Sequence, residues 1–76
     1  MKKHVKIYLE YYDYCETDII LCEVCKSKAI DIHHIKYKSR GGKDEIKNLI
    51  ALCRDCHNKA HNEIFKEDYL YKIHNE

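Results

Sequence analysis

The sequence predicts a small α+β domain: a ββα unit preceded by an extra N-terminal helix, in the order helix, knuckle, strand, loop, strand, helix. Three observations predict it. Residues 29–35 (AIDIHHI) and 49–53 (LIALC) read as short strands, rich in β-branched and apolar residues. Two Cys-x2-Cys pairs, Cys22/Cys25 and Cys53/Cys56, stand 27 residues apart, one near each strand. The two ends of the chain repeat their apolar residues at helical spacing.

In residues 3–16, Val5, Tyr8, Leu9, Tyr12 and Cys15 share one helical face, so the tyrosines are expected to fill core and Cys15 to be a buried thiol. Residues 20–25 form a tight turn around the first cysteine pair. After the first strand comes a loop, KSRGGKDEIKN, broken by Gly41-Gly42. From Arg54 to about Ile73 the pattern is helical, with Ala60, Ile64, Phe65 and Tyr69 or Leu70 on the apolar side. A single domain is expected over residues 1–76, with the N-terminal helix at 3–16 and the core at 20–74.

The chain has 76 residues. A domain of this size buries only about 60% of its unfolded surface. Below roughly 70–80 residues a metal, disulfides or a partner usually supplements the core. Glu10 and Asp13 interrupt the basic N-terminus before any signal-peptide core develops. Apolar runs such as residues 19–21 are far too short to span a membrane. The expectation is no membrane partner and a cytoplasmic, or phage-encoded intracellular, protein in which thiols stay reduced.

An odd total of five cysteines also argues against a disulfide framework. Twin Cys-x2-Cys knuckles place four thiolates, from Cys22, Cys25, Cys53 and Cys56, around one tetrahedral ion. Zinc is expected there as a structural ion, with iron the alternative for an all-sulfur shell. Such a closed shell has no place for a substrate.

The formal net charge is +1, but it is unevenly spread. Residues 32–62 carry seven Lys or Arg against three acids, a balance of +4 that a phosphate-binding surface would need. In the same third lie His33, His34, His57 and His61. His57 and His61 are four apart, hence neighbours on one helix face. Along a strand, His33 and His34 point to opposite faces. His4 and His74 are expected to be surface or satisfied core residues.

The ordered set DIHHI, SRGG, KNLIALC and CRDCHNKAH resembles the HNH endonucleases of the ββα-metal class, in the version closed by a four-cysteine zinc. The resemblance covers residues 22–61. It implies hydrolysis of DNA phosphodiesters with one catalytic divalent ion: Mn²⁺, Ni²⁺, Co²⁺, Zn²⁺ or Mg²⁺. By the same resemblance His33, His57 and His61 hold that ion, His34 is the general base, and Asn48 fixes the loop and orients the base. His33 stands where relatives often carry Asp, which makes the site softer and favours Ni²⁺, Zn²⁺, Co²⁺ or Mn²⁺ over Mg²⁺. The family often has a proline shortly after the base, where this chain reads Lys36-Tyr37-Lys38. Lys38 and Arg40 are candidate phosphate contacts. The expected partner is DNA, with RNA as the alternative, and a homodimer or larger nuclease assembly would supply further surface. The rival reading is a non-catalytic zinc module that binds nucleic acid or a protein.

Overall fold

The structure, a computed structural model, describes residues 2–75. Its elements are α1 (Lys3–Tyr11), β1 (Asp31–His34), β2 (Leu49–Leu52), α2 (Arg54–His61) and α3 (Glu67–His74), with single 3-10 turns at Lys38–Arg40 and Ile46–Asn48. The α+β class and the ββα unit with a leading helix are as the sequence predicts.

β1 and β2 are antiparallel, with His33 opposite Ile50 and His34 opposite Leu49. Opposed residues share a face, so the register sorts the sheet into two apolar layers. Ile50 and Leu52 pack with Ile35, Cys22, Cys53, Cys56, Ala60 and Leu70, between the sheet and α2/α3. Leu49 and Ala51 pack with Ile32 and Tyr8, between the sheet and α1. Helices on both sides explain why β2 is buried at every position rather than alternately.

Both helical expectations were too long. α1 stops at Tyr11, because Asp13 takes a left-handed conformation (φ 59°). The Tyr14 N–H then bonds Leu9 O at 2.8 Å and the Asp13 N–H bonds Glu10 O at 3.3 Å. This is a Schellman closure. The same device ends α2: Glu63 is left-handed (φ 60°), with Ile64 N–H on Lys59 O at 2.9 Å and Glu63 N–H on Ala60 O at 3.2 Å. The single helix expected from Arg54 to Ile73 is therefore two, and Leu70 reaches the core from α3. With α1 ended early, Cys15 is exposed rather than buried.

One carboxylate ties the ends of the chain together. Glu23 Oε2 accepts from the Tyr8 hydroxyl at 2.7 Å, and Oε1 lies 2.9 Å from His74 Nδ1. His74 Nε2 meets Ile46 O at 2.7 Å, so both ring nitrogens face acceptors, an arrangement that favours the protonated imidazole. The Glu23 hydrogen bond raises the His74 pKa above its ordinary value. His74 is thus the satisfied core residue that the sequence suggested.

Candidate active site and metal centres

The cysteine site grows out of the two knuckles. Cys22, Cys25, Cys53 and Cys56 present sulfur atoms that all lie within 4.8 Å of one another. All are free thiols, and Cys25 Sγ sits 3.5 Å from Cys53 Sγ. A tetrahedral ion with bonds of about 2.3 Å spaces its sulfurs by about 3.8 Å, so the donor set fits one such ion. Hydrogen bonds from Ser27 pull the Cys25 thiol down to about 6, whereas burial pushes the Cys56 thiol up. Cys53 also caps α2, its sulfur accepting the Cys56 N–H.

A cleft of about 560 Å³ runs along the outer edge of β1, and it is lined from both faces of that strand. Among the described residues β1 pairs only with β2, which leaves this edge open. His33 shares the face of Ile50 and turns toward α2. Its ring centroid lies 5.3 Å from that of His57 and 5.5 Å from that of His61, with both ring pairs nearly perpendicular. His57 Nε2 and His61 Nε2 are 3.0 Å apart. The three histidines offer nitrogen atoms within 4.8 Å of one another, converging as metal ligands do. Burial, then His57 and His61, push the His33 pKa down to about 4, so this ring stays neutral and able to ligate. Tyr37 Oη lies 3.3 Å from His61 Nδ1 and Asp31 Oδ2 lies 3.4 Å from His57 Nε2. With Tyr37 Oη accepting from Nδ1–H, the Nε2 lone pair of His61 faces the cluster.

His34 shares the face of Leu49 and turns the other way, toward α1. Its Nε2 lies 2.7 Å from Asp44 Oδ1, and Lys38 Nζ lies 3.3 Å from Asp44 Oδ2. The hydrogen bond from His34, then Lys38, hold the Asp44 carboxyl below its usual pKa. An ionised Asp44 accepts from Nε2–H, which leaves Nδ1 as the lone-pair nitrogen of neutral His34. The His4 ring stacks obliquely on it, centroids 4.4 Å apart.

A family model described as HNH endonuclease matches residues 22–63. This chain belongs to the HNH endonuclease family. It is also similar to Anaredoxin from Nostoc sp. (strain PCC 7120 / SAG 25.82 / UTEX 2576), at 44% identity over 50 residues, which cover 62% of this chain. The chain spans 64% of the length of that curated relative. No solved structure matches it.

The HNH match takes in both cysteine knuckles, both strands and all of α2. Within it, Asn48 is a buried clamp on the loop between the strands. Its Oδ1 accepts from Lys36 N–H and from the Tyr71 hydroxyl, each at 2.8 Å, and its Nδ2 donates to Lys36 O at 3.0 Å and Lys43 O at 3.1 Å. Among the described residues it makes no hydrogen bond to His34, and it reaches that ring only through the loop bearing Asp44. Gly42 lets the loop close: a Cβ there would lie 1.8 Å from Lys36 O. Lys38 lines the cleft, whereas Arg40 borders a neighbouring depression with Tyr37 and His61.

Sequence reasoning missed His4, Asp44, Asp31 and Tyr37. His4 lies outside the HNH match, one helical turn before the buried Tyr8, and that spacing was the available signal. The others carry no pattern until the loop closes. No helix among the described residues is long and apolar enough to cross a membrane.

Proposed function

We propose that the chain is a metal-dependent endonuclease that hydrolyses DNA phosphodiester bonds at the β1 edge, with structural zinc in the four-cysteine shell. One observation carries the reading: a histidine in hydrogen-bond contact with a carboxylate shares a cleft with three converging imidazoles. Phosphodiester cleavage needs an activated water and relief of charge on phosphate and leaving oxygen. A divalent ion held by His33, His57 and His61 would neutralise that charge when bound.

His34 Nδ1 takes the proton of the attacking water as its oxygen bonds phosphorus. Asp44 keeps the opposite nitrogen protonated, which leaves Nδ1 as the acceptor, and it stabilises the imidazolium that forms. The phosphorus–O3′ bond breaks and the departing oxygen takes a proton from solvent, leaving a 5′-phosphate. Lys38, tethered to Asp44, places a cation beside the incoming backbone. Asn48 positions rather than reacts, since its bonds go to the loop.

The test is supercoiled plasmid incubated with protein stripped of loosely held metal, adding one divalent ion at a time. Cleavage is expected with Mn²⁺, Co²⁺, Ni²⁺ or Zn²⁺ ahead of Mg²⁺, and lost in His34→Ala. Plasmid retained but uncut under every ion would instead support a non-catalytic nucleic-acid-binding module, and cleavage of RNA alone would reassign the substrate.

A further inference from the structure

Outside the imidazole trio, the cleft holds a second set of metal-ligating groups. His4, His34 and Asp44 each offer a ligand atom, and these atoms lie within 4.8 Å of one another. They come from three separately anchored pieces of the chain. His4 rides on α1, which Tyr8 packs against Ile32, Leu49 and Ala51 of the sheet. His34 is on β1, and Asp44 sits in the loop that Asn48 clamps. All three are half-buried, so the donors are held in place yet reachable.

We infer that His4, His34 and Asp44 form a second divalent-metal site, suited to Zn²⁺, that shuts the nuclease off by taking its base as a ligand. Two imidazoles and a carboxylate are a recurrent zinc donor set that leaves a fourth position open. Neighbouring donors on a tetrahedral ion with bonds of about 2.0–2.1 Å stand about 3.3 Å apart. The His34–Asp44 contact of 2.7 Å must therefore open by only a fraction of an ångström.

The chemistry of the base makes the two uses exclusive. Asp44 adjoins His34 Nε2, so an ion shared with Asp44 is bound at that nitrogen. A neutral ring ligating through Nε2 carries its proton on Nδ1. That is the atom that would accept the proton of water, so the ligated ring cannot act as base. Lys38 competes for Asp44, and the His34 tautomer must change. Both oppose filling, which places this site behind the trio of His33, His57 and His61 in affinity. Cleavage should rise as the first nitrogen-lined site fills and fall as the second does.

The inhibitory effect rests on the nuclease reading, but the binding does not. The test is equilibrium dialysis of the zinc-loaded full chain against Co²⁺, with the visible spectrum of the bound ion followed in parallel. Exchange into the thiolate shell shows separately, as sulfur-to-cobalt absorption in the near ultraviolet. Wild type should take up two equivalents of Co²⁺, His57→Ala one, and His4→Ala or the size-preserving His4→Gln one. The His4 and His57 changes combined should abolish uptake. If wild type takes up a single equivalent, or if folded His4→Gln still takes up two, the second site does not exist. On plasmid, wild-type cleavage should peak and then decline with rising Co²⁺, whereas His4→Gln should plateau. A decline unchanged in His4→Gln would overturn the inhibitory role even with binding intact. Absence of cleavage throughout would count against the nuclease reading and leave the dialysis result to decide the site.

Discussion

Asp44 Oδ1 lies 2.7 Å from His34 Nε2, and this contact decides which nitrogen of the proposed base is free. Asn in place of Asp44 can present an amide N–H to the ring and favour the wrong tautomer. Asp44→Asn is therefore expected to lower the cleavage rate by about 10²–10⁴-fold, the range for losing a well-placed acid–base group. Single-turnover rates on plasmid at saturating protein measure it, and a variant within a few-fold of wild type would remove Asp44 from the mechanism.

His74 makes stability depend on pH in a stated direction. Its pKa is raised in the folded protein above the value of 6.5 expected when unfolded. The stabilisation is therefore fully present below about pH 6.5 and is lost as pH rises through the folded pKa. Urea unfolding at about pH 6 and about pH 8.5 should show wild type losing stability relative to His74→Gln. Parallel curves for the two proteins would show that the Glu23–His74 contact carries no net charge interaction.

Cys53 belongs to the four-cysteine cluster and also caps α2. Cys53→Ser should unfold the domain, since structural zinc in small domains contributes on the order of 10 kcal/mol of folding energy. Loss of amide dispersion together with loss of bound zinc is the expected pair of observations. A folded, zinc-free Cys53→Ser would mean that the apolar layers suffice.

Glu63 holds a left-handed conformation that glycine adopts without steric cost. Glu63→Gly is expected to stabilise by about 1 kcal/mol, the rough penalty of that conformation for a side-chain-bearing residue. An unchanged or lowered unfolding midpoint would show that the Glu63 side chain compensates for its backbone.

The same residues show why part of the fold was illegible in the sequence. Helix ends are read from glycine and proline, yet this chain closes α1 on Asp13 and α2 on Glu63, and it contains no proline. The break between α2 and α3 therefore passed as continuous helix. The strands and the cysteine shell were legible because period and spacing are local facts. In the candidate site, His57 and His61 are one turn apart and lie together for that reason alone. Asp44 is ten positions from His34, and His4 thirty. Nothing local connects them; they meet only because α1 covers one side of the sheet and the loop folds back under the Asn48 clamp.

Glu23 lies at the meeting point of Tyr8 from the first helix and His74 from the last, between Cys22 and Cys25 of the cysteine cluster in sequence. One side chain therefore fastens both terminal helices, and loss of the Glu23 carboxylate would release Tyr8 and His74 together. The first and last helices are coupled through that carboxylate as well as through the sheet they cover, so a disturbance at one end of the chain is felt at the other.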